Sequence, residues 1–354
     1  MSKIFKEKTK KHKKYWGRNN EWIDTMLPLI DSHLSPNVGR AIIAFSMSRF
    51  IGHLQMGVLV DKEKNEYVPM NTLWIILHSG NWGIRKEIEK VARVFIPMNR
   101  RIMNARQDQV IGGRNKLGTQ HRGNDIYKIN SSRYLPQQKL DARKSGLWTP
   151  ALALSEIQTT ITNKKSYQNM RLGEVGYDER TQDKNTGIFG ISMILGSSRK
   201  LGRCKHDNKN IQARFNSRVV KPMINKCFMM CPEQGAKKWN VDRTLRDGIE
   251  EVIESKTNEI FDIYYGRKLK FGMMDEAVDV LDAYQELTER KLEEIKNETI
   301  RSYLDGRRLR VTKLAGVFAM WGQAVEVSAK HIFEAITMEQ LSSNSIKRYV
   351  KETK

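Results

Sequence analysis

The clearest hydrophobic pattern in this 354-residue chain is an apolar run, then a polar loop with glycines, then a helical repeat. Residues 73–77 read Leu-Trp-Ile-Ile-Leu, which predicts a buried strand. Residues 78–83 read His-Ser-Gly-Asn-Trp-Gly, and apolar residues then recur at helical spacing as far as residue 95. A strand, a glycine loop and a helix that begins with Arg85 and Lys86 can hold phosphate. Glycines let backbone N–H groups face the anion, and the helix N-terminus adds partial positive charge.

The match to the general phosphate-loop pattern G-x-x-x-x-G-K-[ST] is incomplete. Gly80 and Lys86 have the required separation. Arg85 stands where the pattern has its second glycine, and Glu87 stands where it has a hydroxyl. Taken alone, the pattern also fits an ordinary strand–turn–helix crossover that binds no ligand.

The remaining hydrophobic pattern divides the chain into four parts. Residues 1–19 are predicted to be a disordered basic arm, and residues 20–70 a helical lead-in of two helices followed by a hairpin. Residues 71–238 alternate apolar runs with polar stretches, which favours an α/β sheet. Residues 239–354 have helical period and balanced charge, which predicts an all-helical C-terminal region. Further strands are predicted within residues 147–156, 187–195 and 220–231, and C-terminal helices over residues 242–262, 275–297, 298–323 and 328–342.

Composition narrows the class of protein. Hydrophobic residues make up 39% of the chain, enough for a normal core, and no apolar run reaches the ~18 residues of a membrane span. We therefore expect a soluble protein with no membrane partner. Three cysteines form no even-numbered framework, so a reducing compartment such as the cytoplasm is expected.

The net charge of +22 is concentrated in three segments. Residues 1–20 carry eight Lys or Arg against one acid, residues 85–145 fifteen against five, and residues 199–221 eight against one. Charge placed in this way favours a polyanion partner, most simply nucleic acid bound through its phosphates. A generally basic, solvated surface is the alternative.

Two of these segments supply the candidate nucleic-acid contacts. Residues 97–146 are rich in Arg, Asn, Gln and Gly, a composition typical of loops that face a nucleic-acid channel and equally of solvated loops. The candidates from this stretch and from the next basic segment are Arg100, Arg101, Arg106, Arg114, Lys116, Arg122, Arg199, Lys200 and Arg203.

Several features then occur in one order along the chain. A helical lead-in and hairpin come first, then G-N-W-G-I-R-K over residues 80–86, a strand that ends in Ser155-Glu156, and a strand that stops at Cys231-Pro232. A helical tail with Arg-Arg-Leu-Arg over residues 307–310 follows. In this order the chain resembles the phage- and plasmid-type P-loop ATPases, the RecA-like replicative helicases and helicase–primase C-terminal domains. The resemblance covers residues 35–340.

The resemblance implies a RecA-like α/β core, ATP and Mg²⁺ as cofactors, and a ring of subunits that moves single-stranded DNA in the host cytoplasm. By position, Lys86 would contact the β- and γ-phosphates, and Glu156 would position or activate the attacking water. Residues 232–234 would lie where such ATPases sense the γ-phosphate, and Arg307, Arg308 or Arg310 could stabilise transition-state charge. The nucleotide site as a whole would comprise Gly80, Asn81, Trp82, Gly83, Arg85, Lys86 and Glu87.

The departures from the family concern one ion. Glu87 replaces the hydroxyl that binds Mg²⁺, and Ser155 replaces the acid before Glu156 that supports the same ion. One possibility is that Glu87 and Ser155 have exchanged roles as the groups that serve Mg²⁺. The other is that ATP hydrolysis has been lost. The alternative function is therefore a catalytically decayed, non-enzymatic nucleic-acid-binding accessory protein.

Two other constellations offer metal chemistry. Cys204, His206, Cys227 and Cys231 are four potential zinc ligands, although buried reduced cysteines explain the second pair without metal. Asp178 and Glu179 could form the acidic metal site of a nuclease, or a solvated turn.

Overall fold

The computed structural model describes twelve stretches of the chain and two single residues. They are residues 3–30, 35–53, 57–61, 66–77, 91, 126–128, 152–156, 182–183, 187–188, 193–197, 217, 220–231, 244–264 and 270–352.

The first residues form an ordered segment that packs on C-terminal helices. Helix α1 covers Lys3–Lys8, and a 3-10 helix covers Lys10–Tyr15. Phe5 is 1% exposed, and its ring centroid lies 5.8 Å from that of Tyr284 and 6.0 Å from that of Phe333. The prediction of a disordered arm over residues 1–19 is therefore wrong for residues 3–15. The side of this segment that faces the protein consists of Phe5, Thr9 and His12. Because Thr9 and His12 are polar, the sequence shows no apolar repeat at helical spacing here.

The described residues of the lead-in form two α-helices and a small sheet. Helix α2 (Glu21–Met26) begins at Asn20, whose Oδ1 accepts a hydrogen bond from the Trp22 N–H at 3.1 Å, and a 3-10 turn covers Leu27–Leu29. Helix α3 covers Pro36–His53. Strands β1 (Gly57–Asp61) and β2 (Glu66–Pro69) pair antiparallel. The sequence pattern gave no indication that a later strand joins β1.

A parallel sheet follows. Its first strands are β3 (Leu73–Leu77), β4 (Ile126–Lys128) and β5 (Leu152–Glu156). A two-stranded antiparallel sheet of β6 (Gln182–Asp183) and β7 (Gly187–Ile188) comes next in the chain. Strand β8 (Met193–Ser197), a short helical turn α4 (Lys221–Met223) and strand β9 (Cys227–Met230) complete the unit.

The order across this sheet is β4-β5-β8-β3-β9, and all four strand pairs are parallel. Parallel sheets are covered on both faces, so their strands read as continuous apolar runs. Residues 73–76 of β3 are all 0% exposed, which fits the predicted buried strand. Trp74 stacks on Phe228 of β9, with ring centroids 4.4 Å apart.

The described residues of the C-terminal region form five helices and a short strand. They are α5 (Thr244–Tyr264), β10 (Lys270–Phe271), α6 (Asp275–Glu294), α7 (Glu298–Asp305), α8 (Arg307–Trp321) and α9 (Ala329–Glu352). Strand β10 pairs parallel with β1. The helix predicted over residues 298–323 is broken at Gly306, and the helix predicted over residues 328–342 continues to residue 352.

The glycine at this break has a steric reason. A Cβ on Gly306 would lie 1.6 Å from the carbonyl oxygen of Asn225, so the backbone approaches too closely for any side chain. Residues of the sheet, the lead-in and the C-terminal helices share one hydrophobic core, with Val317 and Trp321 of α8 among its members. The described helices are thus built onto the sheet.

Candidate functional site

The carboxyl ends of β3, β5 and β8 lie side by side at one edge of the parallel sheet. Ile76 of β3 and Glu156 of β5 pair with the same residue, Gly196 of β8, from opposite sides. Because neighbouring strands are about 4.8 Å apart, the backbones of Ile76 and Glu156 lie roughly 10 Å apart. Glu156 is therefore level with the end of the strand that leads into the glycine loop.

The path of the chain singles out β3 within the sheet. The chain runs from β3 to the far edge at β4, returns through β5 to β8, and then passes β3 to reach β9 on its other side. Among the described strands of this sheet, only β3 has an outgoing connection that leads toward the β4 edge. Ligands of open parallel sheets bind outside the carboxyl ends of the strands, where connections diverge in this way. This rule points to the end of β3.

Most of the predicted site residues lie outside the described residues. For the nucleotide these are Gly80, Asn81, Trp82, Gly83, Arg85, Lys86 and Glu87. For nucleic acid they are Arg100, Arg101, Arg106, Arg114, Lys116, Arg122, Arg199, Lys200 and Arg203, and the acids Asp178 and Glu179 of the nuclease alternative also fall outside. Of the predicted catalytic and binding residues, Glu156 is the one whose strand position the structure describes.

The sheet order brings a further residue to this edge. Ser197 is the last residue of β8 and pairs with Leu77, the last residue of β3. Because β8 lies between β3 and β5, Ser197 stands between the glycine-loop strand and the strand of Glu156. Residues 232–234, the predicted γ-phosphate sensor, lie outside the described residues; strand β9, which ends shortly before them in the sequence, lies on the other side of β3. The polar Gly-Ser-Ser sequence that ends the apolar run was the available signal for Ser197.

Two of the three candidate arginines of α8 are structural. Arg307 is 3% exposed and Arg310 is 0% exposed. Both contact Glu339 of α9: Arg307 Nε lies 2.9 Å from Oε2, and Arg310 Nη2 lies 3.4 Å from Oε1. Because both guanidinium groups are buried and paired with Glu339, a role at a nucleotide would require each to break a buried ion pair. Arg308 is more accessible and pairs with Asp282 at 2.6 Å.

Glu339 is the acid at the centre of this cluster. The hydroxyl of Tyr284 also donates a hydrogen bond to Glu339 Oε2. Burial opposes ionisation of Glu339, but the two arginines outweigh it and hold the pKa of the carboxyl below its usual value. The cluster is therefore a fixed ion pair network between α6, α8 and α9.

Arg310 also fixes the turn before β9. Its Nη1 donates to the carbonyl oxygen of Asn225 at 2.6 Å, and its Nη2 donates to the carbonyl oxygen of Tyr303 at 2.8 Å. The guanidinium lies 3.9 Å from the centroid of the Tyr303 ring, which is a cation–π distance. One buried arginine thus connects the parallel sheet to α7, α8 and α9.

Helix α9 covers the outer edge of β9. The N–H of Met229 donates to Ser342 Oγ at 2.7 Å, and the N–H of Cys231 donates to Ser345 Oγ at 3.0 Å. Strand β9 pairs with β3 on its other side. These hydroxyls satisfy backbone donors at a sheet edge that would otherwise be open to another strand.

The structure argues against Cys227 and Cys231 as a pair of zinc ligands. Cys227 and Cys231 are buried free thiols four residues apart along an extended stretch, or roughly 13 Å. Two thiolates at about 2.3 Å from one zinc ion cannot span that separation. Burial raises the pKa of Cys227 to about 12, so this thiol keeps its proton. Cys204 and His206 lie outside the described residues.

Comparisons with known proteins add no relative. No protein-family model matches the sequence, and no curated protein matches it. Within the described stretches, no helix has the length and apolar character needed to cross a membrane.

Proposed function

We propose that this chain is a RecA-like P-loop ATPase, a helicase-type motor in the DNA replication of a phage or mobile element. It binds ATP with Mg²⁺ at residues 80–87 and single-stranded DNA through basic loops within residues 97–145 and 199–221. The observation that carries the proposal is the shared pairing of Ile76 and Glu156 with Gly196. This pairing supports the proposal that the glycine loop and the acid Glu156 lie at the same edge of one parallel sheet.

The order of the strands is the second line of support. In RecA-like ATPases one strand separates the phosphate-loop strand from the strand that carries the catalytic acid. The order β5-β8-β3 has the same arrangement. An ordinary strand–turn–helix crossover would require no acid at that level of the sheet, so the order favours the ligand-binding interpretation of the glycine loop.

The chemistry follows from the residue types. Lys86 and backbone N–H groups of the glycine loop hold the phosphates, and Lys86 neutralises charge as the terminal phosphoryl group leaves. Glu156 orients the attacking water and takes up its proton. Ser197 ends β8, the strand that lies between these two strands. Bound Mg²⁺, which Glu87 and Ser155 would hold if they have exchanged the roles of the family's ligands, would supply further charge neutralisation.

The partner is argued from charge. The two segments that supply the predicted nucleic-acid contacts, residues 85–145 and 199–221, carry net charges of +10 and +7. Such an excess is expected of a surface that tracks a phosphate backbone. The ring of subunits and the location in the host cytoplasm follow from the family resemblance.

The second candidate function is a decayed, non-enzymatic nucleic-acid-binding accessory on the same scaffold. The observation that favours it is the pair of substitutions at Glu87 and Ser155, both at positions that serve Mg²⁺ in the family. A carboxylate beside the phosphates repels them unless a cation lies between.

DNA-stimulated ATP hydrolysis separates the two functions. A motor hydrolyses ATP, single-stranded DNA raises kcat, and Lys86→Ala abolishes both effects. Lys296→Ala is a matched control, because Lys296 is an exposed lysine beyond the end of α6. A chain that binds DNA without hydrolysis, and whose DNA binding is unchanged by Lys86→Ala, is the decayed accessory.

A further inference from the structure

The N-terminal segment displays basic side chains on an ordered support. Residues 3–18 contain eight Lys or Arg and one acid, Glu7. Seven of the eight basic side chains are exposed: Lys6, Lys8, Lys10, Lys11, Lys13, Lys14 and Arg18. A run of this kind is usually a mobile, solvated tail, but here the backbone is helical and packed.

Packing of the opposite side keeps these cations outward. Phe5, Thr9 and His12 are at most 6% exposed, and Thr9 Oγ1 donates to the carbonyl oxygen of Phe5 at 2.7 Å. Their spacing of four and then three residues matches an α-helix that passes into a 3-10 helix with three residues per turn. The lysines between them must therefore face solvent.

Two of the lysines anchor the segment to α6. Lys8 Nζ lies 2.6 Å from Glu286, and Lys11 Nζ lies 3.2 Å from Asp279. Among the described residues, no carboxylate lies within 4.0 Å of Lys6, Lys10, Lys13, Lys14 or Arg18. These five residues form what we term the basic N-terminal surface. Five like charges held on one short support repel each other, and a polyanion relieves that repulsion.

The placement of apolar groups favours nucleic acid over a membrane as that polyanion. A helix that binds the membrane interface turns an apolar face outward. Here the apolar residue Phe5 faces the protein core. Tyr15 and Trp16 are half-buried, and Lys14 and Lys6 lie 4.9 Å and 5.9 Å from their ring centroids. A charged outer face over a buried apolar side suits a solvated phosphate backbone.

We propose that the basic N-terminal surface is a phosphate-backbone contact for nucleic acid, separate from the loops within residues 97–145 and 199–221. It extends the DNA-binding part of the proposed function and is independent of the nucleotide site. Because the segment is docked on α6 and α9, it holds the strand at a fixed position relative to the C-terminal helices. Its contribution is insensitive to sequence, since phosphate contacts carry no direct base readout.

The test compares two triple variants of the full chain, each of which removes three charges. Lys10→Gln/Lys13→Gln/Lys14→Gln alters the surface. Lys296→Gln/Lys347→Gln/Lys351→Gln is the control, since all three residues are exposed and Lys347 lies about 20 Å along α9 from Phe333. Affinity for a single-stranded DNA oligonucleotide is measured by fluorescence anisotropy across a salt series, with thermal unfolding and ATP binding measured for each variant.

The surface variant should lower the slope of log affinity against log salt by about 2, because each lost single-strand contact contributes about 0.7. The control slope should stay within about 0.7 of the parent slope, and unfolding and ATP binding should be unchanged. Equal slopes for the two triple variants, or binding to vesicles with 30% phosphatidylserine but not to DNA, would overturn the inference. If the surface variant shows the expected change in slope but the parent binds no ATP, the result contradicts the proposed nucleotide site and leaves the basic N-terminal surface supported.

Discussion

Ile76 and Glu156 stand at the same level of the parallel sheet because each pairs with Gly196 of the strand between them. This relationship joins two parts of the chain that are far apart in sequence. It sets an acid roughly 10 Å, two strand spacings, from the strand that leads into the glycine loop.

Glu156→Gln tests the catalytic part of this relationship. If Glu156 takes up the proton of the attacking water, kcat for ATP hydrolysis should fall at least about 100-fold, with ATP affinity little changed. Glu251→Gln, an exposed acid on α5, is the control and should leave both quantities at parent values. An unchanged kcat in Glu156→Gln would exclude this acid from the chemistry.

Glu339→Gln tests the buried cluster of α8 and α9. The variant keeps the shape of the side chain but leaves Arg307 and Arg310 buried without a countercharge, so the free energy of unfolding should fall by about 3–5 kcal/mol. Urea denaturation measures the change. Asp282→Asn removes a countercharge from Arg308, whose side chain is 39% exposed, and should cost less than about 1 kcal/mol. Similar costs for the two variants would contradict the structural role.

Ser342→Ala tests the covered edge of β9. Loss of the hydroxyl leaves the buried N–H of Met229 and the hydroxyl of Tyr303 without this shared partner. The expected loss of unfolding free energy is about 1–3 kcal/mol. Ser46→Ala is a matched buried control, because Ser46 Oγ donates to the helical carbonyl oxygen of Ile42. Ser46→Ala should cost less, and the opposite ranking would argue against the edge contact.

Glu334 and His331 of α9 should give stability opposite dependences on pH. Burial raises the pKa of Glu334 to about 7, against 4.5 when unfolded, although Asn20 Nδ2 donates to it at 2.7 Å. The folded state then binds the extra proton, so its contribution to stability falls as pH rises from 4.5 to 7. Burial lowers the pKa of His331 from 6.5 to about 4, so its contribution rises as pH rises from 4 to 6.5.

The two effects separate in single variants. Relative to the parent, Glu334→Gln should remove a downward slope of unfolding free energy between pH 4.5 and 7. His331→Gln should remove an upward slope between pH 4 and 6.5, because its Nδ1 accepts from the Ser328 N–H only when unprotonated. Urea denaturation across pH 4–8 measures both differences. Difference curves of the same sign would contradict the burial argument.

Local patterns in the sequence predicted several individual elements. The apolar run at residues 73–77 coincides with β3, and the predicted hairpin coincides with β1 and β2. The need for glycine at residue 306 was not predictable from the local pattern, because it depends on the close approach of the Asn225 carbonyl oxygen. The helical segment in residues 3–15 was also not predicted. Its buried side consists of Phe5, Thr9 and His12, and because two of these residues are polar, the sequence shows no apolar repeat there.

Pairing between distant strands limited the prediction of the site. Glu156 was identified as the acid at the end of its strand, but only the sheet order shows that β8 and Ser197 lie between it and β3. The arginines at residues 307–310 fitted a charge-stabilising role in the sequence. Two of them are instead buried against Glu339, which lies on the next helix, α9, and so outside the local pattern.

Equilibrium binding of a fluorescent ATP analogue, with and without Mg²⁺, tests the central claim most directly. The parent and Lys296→Ala should bind the analogue, and Mg²⁺ should strengthen binding. Lys86→Ala should weaken binding at least about tenfold, because it removes a charge-assisted contact to the phosphates. No binding by the parent, or equal binding by Lys86→Ala and the parent, would contradict a nucleotide site at the end of β3.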